Sequence, residues 1–345
     1  MRVWIARVPL FLLALACVLA APWALSALPV EQKSFLLGSR PSWEGILTVG
    51  VVESFDQGNL TGWLSARAGE FEGENQGVLV SVREMNVSTY RALRASCQLP
   101  DALVLGPGVE GAPEEALLPI SGGSRGLRQE AVAAAERGGL QYGLPLALGA
   151  YGLLGNQALV DGLQIGPETS GEAMARVFEE QGRWIGCPAP SLARPDLALE
   201  ALAPELKPFV RLAIRAKAWP EFALDQRTVF YVGTQREVLR MRQLQAAGRG
   251  FDTCLLTPGE KSYTDQVLYL CAVNPSLSGH GGDAASRLEV LGRLAALLLG
   301  EEAQGQLTDA GLFAAREGLR LYQEGNMAAL EAGLEKPLDV PAAFG

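Results

Sequence analysis

Seven consecutive residues, Ile46 to Val52 (ILTVGVV), carry only one hydroxyl and no charge. A run of that length, mostly β-branched and almost wholly apolar, is too short for a helix and suits a strand covered on both faces. That constrains the chain more than any other feature, because strands buried on both sides need helices above and below them. The next segments supply them. After the loop Glu53 to Gly58, Asn59 is placed to cap a helix whose apolar positions Leu60, Trp63, Leu64, Ala68 and Phe71 fall on one face. Gly77 opens a second extended run, Val78 to Val82. Ser88 is placed to cap a short helix through Leu93, and Ala102 to Leu105 reads as another buried strand ending at Gly106-Pro107. The succession is βαβαβ, which predicts a parallel sheet with right-handed crossovers.

Beyond it, Gly143 to Leu154 (GLPLALGAYGLL) is apolar and turn-rich, as expected of a crossing between two lobes. Glu172 to Phe178 and Leu197 to Trp219 read as helical. Thr228 to Val232 is a strand closed by Gly233, and Gln235 to Ala246 is a helix. Phe251 to Leu256 and Gln266 to Val273 are extended, and Leu288, Leu291, Leu294, Ala295 and Leu298 form a helical stripe. No internal repeat is evident. A length of 345 residues predicts about two domains at roughly 150 residues each. The net charge of -9 without a Lys/Arg cluster argues against a nucleic-acid surface.

At the N-terminus, Arg2 and Arg7 precede an apolar stretch from Val8 to Leu28. A basic flank before such a run reads as an export signal, with a length close to that of a membrane span. Three fates are open: cleavage near Ser26 or Ala27, retention as an anchor, or lipidation at Cys17. Residues 28–44 then form a tether between the membrane and the folded body.

Four segments together resemble the extracellular solute-binding proteins of ABC importers, in the family 1 branch that binds sugars. They are LTVGVVESFDQGNLTGWLSARAGEFEGENQGVLVSV from Leu47, PDALVLGPG from Pro100, YGLPLALGAYGLLGNQALV from Tyr142 and EEAQGQLTDAGLFAAR from Glu301. They follow the family's order and span most of the chain after Glu44, with Ala314 standing where the family often has Pro. The resemblance implies an α/β, two-lobed periplasmic-binding-protein-like fold of type II. Its parallel-rich sheets would be flanked by helices, and its lobes joined by hinge strands. Lobe 1 is expected over 45–147, lobe 2 over 148–256, and hinge return and C-terminal helices over 257–345, with part of 257–320 completing lobe 1. It further implies a monomer that takes a small-molecule ligand, a mono- or oligosaccharide, and meets ABC permease subunits outside the membrane. No cofactor, metal, nucleic acid or catalysis is expected.

Ligands of open parallel sheets bind beyond the C-terminal ends of the strands. The candidates are therefore Ser54, Phe55 and Asp56 after the first strand, Gly106 after the third, and Tyr151 at the hinge. Gln235 follows a later strand, and Tyr263, Thr264, Asp265 and Gln266 precede the last long one. Hydroxyl, amide and carboxylate groups beside aromatic rings are what a sugar requires. The family's architecture brings the extended runs holding Cys254 and Cys271 together, which implies a disulfide between them. Two other readings stand beside this one. A ligand sensor of the same fold would look the same in sequence. A serine hydrolase is suggested by Gly122-Gly123-Ser124-Arg125-Gly126, which matches G-x-S-x-G, with His280 as the sole histidine. Against it, Leu117 to Ile120 is a poor strand for a nucleophile elbow, being interrupted by Pro119.

Overall fold

The computed structural model describes residues 43–212, 218–224, 228–279 and 283–344. The signal or anchor segment, most of the tether and His280 lie outside the described residues. Two mixed sheets organise the chain. The first has six strands in the order β14-β6-β13-β3-β1-β2. These are β1 (Gly45–Glu53), β2 (Val78–Asn86), β3 (Ala102–Leu105), β6 (Leu144–Leu148), β13 (Val267–Ala272) and β14 (Phe313–Ala314). The second, in the order β11-β7-β10-β8-β9, contains β7 (Tyr151–Asn156), β8 (Ile185–Cys187), β9 (Val210–Leu212), β10 (Phe230–Thr234) and β11 (Thr253–Leu256). Two small ribbons complete the set: β4 (Glu136–Arg137) with β5 (Leu140–Gln141), and β12 (Ser262–Tyr263) with β15 (Leu338–Asp339).

The expected βαβαβ start is present. β1 pairs in parallel with β2, Gly45 opposite Val78, and with β3, Val49 opposite Ala102. The helix Leu60–Glu74 buries Leu60, Trp63, Leu64, Ala68 and Phe71, the stripe its spacing predicts. Its start differs from expectation, since the Asn59 side chain makes no capping bond. The helix Val87–Ala95 is capped by Asn86, whose Oδ1 accepts from Thr89 N–H at 2.8 Å, while Ser88 donates its hydroxyl to the same oxygen. The asparagine caps the helix two positions earlier than the serine would. The helix expected over Leu197–Trp219 is cut short. It occupies Pro195–Leu202, gives way to a 3₁₀ turn over Pro204–Phe209, and leads into β9. Pro204 and Pro208 lack the amide donors and sterically disfavour helix at the preceding residues.

Two polar side chains explain why family-like motifs occur where they do. Asp101, directly before β3, is 8 % exposed and accepts from the Thr48 amide at 2.8 Å and the Thr48 hydroxyl at 2.7 Å. Its other oxygen takes Arg287 at 3.0 Å, and that guanidinium lies 4.5 Å from the Trp43 ring. Gln304, fully buried, donates to Leu146 O and Leu298 O and accepts from Ala315 N–H. One satisfied amide thus ties the helix Ala284–Leu298 to β6 and to the residue after β14, at a place where an unpaired group would cost about 1–3 kcal/mol.

The second sheet is covered on both faces, its side chains alternating between them with period 2. Leu154 and Tyr231 join Phe222, Val238 and Met241 in the large core shared with the first sheet. Leu153, Phe230 and Val232 point the other way, to a separate core with Met174, Phe178 and Leu206. The chain passes between sheets at Gly149-Ala150, between β11 and β13, and again after β14. There the helix Gly325–Gly333 packs on β11, β15 joins β12, and Phe344 ends against Tyr269 of β13 and Tyr142 just before β6, its ring centroid 6.3 Å from each.

The expected disulfide is a correction. Cys254 lies in β11 opposite Gly155, and Cys271 lies in β13 opposite Leu103, so the two belong to different sheets and both are free thiols. The extended runs are consecutive in sequence but diverge at the hinge, which carries them into separate lobes.

A candidate ligand cleft between the two sheets

The cleft begins where β1 ends. Gln57, buried, donates its amide to Val52 O at 2.8 Å and folds the loop Ser54–Gly58 back over the strand end. Gly106, at the end of β3, leaves room for this loop, because a Cβ there would sit 2.1 Å from Ser54 Oγ. On the opposite wall, Thr234 closes β10 and opens the helix Gln235–Ala246 with a capping box. Thr234 Oγ1 accepts from Arg236 N–H at 3.1 Å, and Glu237 accepts from the Thr234 amide and hydroxyl at 2.9 and 2.7 Å. The third contributor is the loop after β8, Pro188 to Pro195. Together they enclose about 260 Å³, lined by Ser54, Phe55 and Asp56 from one side. Ser191, Thr234, Arg236 and Arg240 face them from the other, with Tyr151 and Gln266 between.

Beneath the cleft the two crossings are stapled to each other. Gly149 N–H donates to Gln266 O at 2.6 Å, and Thr264 Oγ1 donates to Gly149 O at 2.8 Å. Gln235 Oε1 accepts from Ala150 N–H at 3.0 Å, while its Nε2 donates to Gln266 Oε1 at 3.0 Å. Gly149 leaves room for this pair: a Cβ would meet Gln266 Oε1 at 2.4 Å and Gln235 Nε2 at 2.5 Å and displace the ends of both amides. Tyr151 donates its hydroxyl to Asp265 at 2.9 Å, and the Arg194 amide donates to the other carboxylate oxygen. Burial holds the Asp265 carboxyl above its usual range, opposed by these two donors. Burial likewise pushes the Tyr151 phenol far up, so it remains a donor.

The candidates named from sequence therefore divide. Ser54, Phe55, Asp56, Tyr151 and Gln266 line the cleft. Gln235, Thr264 and Asp265 are spent in the hinge network, and Gly106 acts by making space. Tyr263 lies 6.5 Å from Tyr151, ring to ring, in the ribbon with β15. The Pro188–Pro195 loop and the pair Arg236 and Arg240 were not anticipated. The loop follows a strand of only three residues, Ile185–Cys187, too short to stand out by pattern. The arginines sit two and six residues after the end of β10, inside the helix that follows, where a search for loop residues overlooks them.

Among the described residues no cluster of His, Cys, Asp and Glu suits a metal ion. Ser124 sits in an irregular loop with no strand directly before it, so the elbow geometry is missing. That loop borders a larger cavity of about 450 Å³ under the helix Ala284–Leu298. It is lined mainly by Leu127, Leu144, Leu270, Leu291 and Leu299, at the end of the first sheet away from the cleft. Its lining offers few polar groups to orient a solute, whereas the smaller cleft combines several with two aromatic rings.

No family model matches the sequence, and no curated protein resembles it in sequence. Solved structures do match in three dimensions. The cyclic alpha-maltosyl-1,6-maltose binding protein of Arthrobacter globiformis superposes with a TM-score of 0.62 at 11% identity, covering 87% of this chain and 89% of that one. The GacH receptor of Streptomyces glaucescens, solved unliganded and with acarbose, gives 0.59 at 14% identity over 85% and 87%. The galacto-N-biose/lacto-N-biose I-binding protein of a Bifidobacterium longum ABC transporter gives 0.56 at 12% identity over 85% and 83%. The chain has the fold of an ABC solute-binding protein. Two crossings join the sheets beneath the cleft: Gly149-Ala150, where β6 has ended and β7 has not begun, and the 257–266 segment between β11 and β13.

Proposed function

We propose that this protein is an exported solute-binding component of an ABC importer, capturing a small saccharide between its lobes without transforming it. The observation that carries this reading is the placement of Ser54–Asp56 and Thr234–Arg240 on opposite walls above a buried, fully hydrogen-bonded hinge. A ligand touching both walls binds the closed form better than the open one, and that difference drives closure. Hydroxyls and charged groups beside Phe55 and Tyr151 suit a polyhydroxylated ring. The size of the cleft, slightly below the ~300 Å³ lower end for small-molecule sites, favours a mono- or disaccharide over a long chain. The structural neighbours named above bind saccharides and acarbose, which supports the same class here. The protein works as a monomer, needs no cofactor, and presents its loaded form to permease subunits at the outer face of the membrane. Ser54, Phe55, Asp56, Tyr151 and Gln266 make the contacts. No helix among the described residues is long and apolar enough to cross a membrane, so membrane attachment would rest on the N-terminal segment.

Thermal-shift screening against sugars, amino acids, short peptides and polyamines tests this. A saccharide at 100 times its dissociation constant stabilises by about 2.7 kcal/mol, and Phe55→Ala or Asp56→Ala abolishes the shift. Stabilisation by peptides or amino acids alone would refute the ligand class. An adjacent sensor kinase gene in place of permease genes would redirect the same capture step to signalling.

A further inference from the structure

Arg236 begins the second-lobe helix but ends in the first lobe. Its Nε donates to Asp56 O at 2.7 Å and its Nη2 to Ala310 O at 2.8 Å, with Asp56 Oδ1 at 3.4 Å. The residue is 8 % exposed. The slot it enters is built by two left-handed glycines of lobe 1, Gly58 (φ +59°) and Gly311 (φ +66°). A Cβ on Gly58 would lie 2.2 Å from the guanidinium, and one on Gly311 would lie 2.6 Å from Leu239 Cδ1 and 3.0 Å from the guanidinium. Any other residue at either position would both strain the backbone and close the slot. Arg240, one turn on, reaches Asp56 Oδ2 at 3.0 Å from a half-exposed position.

We propose that Arg236 is a latch between the lobes, favouring the closed geometry of the cleft and fixing Asp56 and its loop for the ligand. This deepens, and rests on, the reading of the cleft as a closure site. The carbonyl bonds dominate. Asp56 is half exposed, so its ion pairs are screened and contribute little. The two carbonyl bonds to a buried guanidinium are charge-assisted and dry, and losing them leaves buried acceptors without donors. They exist only while the walls stand at this separation. Because Arg236 adjoins Gln235, which sits in the hinge network, a small rotation at Gly149-Ala150 is enough to withdraw it. The latch then sets the fraction of empty protein that is competent to bind, and apparent affinity scales with that fraction.

The test needs no ligand. Spin labels on Ala66→Cys in lobe 1 and Glu180→Cys in lobe 2 of the full chain, in a Cys17→Ser, Cys97→Ser background, report the lobe separation by pulsed dipolar spectroscopy. Arg236→Met keeps the aliphatic stem and removes the guanidinium. It should shift the population toward longer separations by about tenfold or more. Gly311→Ala leaves the arginine in place but obstructs its slot, and should give the same shift, with no further change when combined with Arg236→Met. Far-ultraviolet circular dichroism confirms that each variant is folded. Arg240→Met, at an exposed site, should shift the distribution by less than threefold. Unchanged separations in Arg236→Met and Gly311→Ala would overturn the latch, even if saccharides bind. Lengthened separations would uphold it even if no saccharide binds and the ligand class fails.

Discussion

Replacing Gln235 with leucine should expose how much of the fold's stability passes through the hinge. Leucine fills a similar volume but removes both ends of the amide. Ala150 N–H loses its acceptor and Gln266 Oε1 loses its donor, at positions that are 3 % and 4 % exposed. Each unsatisfied group costs about 1–3 kcal/mol, and sparing the desolvation of one amide returns roughly 1 kcal/mol. The expected loss is therefore about 1–5 kcal/mol, or about 2–10 °C in melting temperature at roughly 2 °C per kcal/mol for a chain of this size. Equilibrium urea unfolding followed by tryptophan fluorescence measures it. Since the staple joins the two crossings, the variant should also unfold less cooperatively than the parent. A loss under about 0.5 kcal/mol with an unchanged slope would mean that water satisfies these groups and that the hinge is wet.

Three further outcomes follow from other parts of the molecule. Phe178, fully buried, stacks on Phe230 at 5.9 Å and meets Phe209 edge-on at 5.8 Å, so Phe178→Ala should cost about 3–5 kcal/mol in urea unfolding; a loss below 1 kcal/mol would contradict this packing. The Asp265 carboxyl is raised by burial, so its contribution to stability is present below the ordinary carboxylate pKa of about 3.9 and is lost as pH rises through the folded value. Asp265→Asn should accordingly gain stability relative to the parent between about pH 4 and 7, and a pH-independent difference would refute the assignment. Thiol titration should find Cys97, which is exposed, reactive in the native protein, and Cys187, Cys254 and Cys271 reactive only after unfolding without reductant, with burial holding the Cys254 thiol up at about 11; a titre short by two would restore the disulfide.

The fold was legible because its strands announce themselves by burial. ILTVGVV and ALVL are apolar without alternation, and both are central in the first sheet, where helices cover each face. Helix ends were less legible, since Asn86 and Ser88 are equally good caps by type and only backbone geometry selects between them. The cleft was half visible. Residues after strand ends are easy to nominate, but whether such a residue meets solute or protein depends on what the other crossing brings alongside it. Gln235, Thr264 and Asp265 have the chemistry of ligand contacts, and the structure shows that chemistry already engaged by Ala150, Gly149, Tyr151 and Arg194. Conversely, Arg236 looks like an ordinary surface position in a polar helix, and nothing local signals the slot made by Gly58 and Gly311, one far before it and one far after it in the chain.

The interleaved order of the strands has a consequence for how the molecule is made. The second sheet comes from one continuous stretch, Tyr151 to Leu256, whereas the first waits for β13 at Val267, its link between β6 and β3. A chain synthesised from its N-terminus thus finishes the second lobe's strands while the first is still missing its middle. Pairing of β3 with β13 closes a loop of more than 150 residues, the kind of distant contact that makes folding slow. Newly made protein accordingly passes through a stage in which one half is assembled and the other is an open edge, waiting on the last third of the sequence.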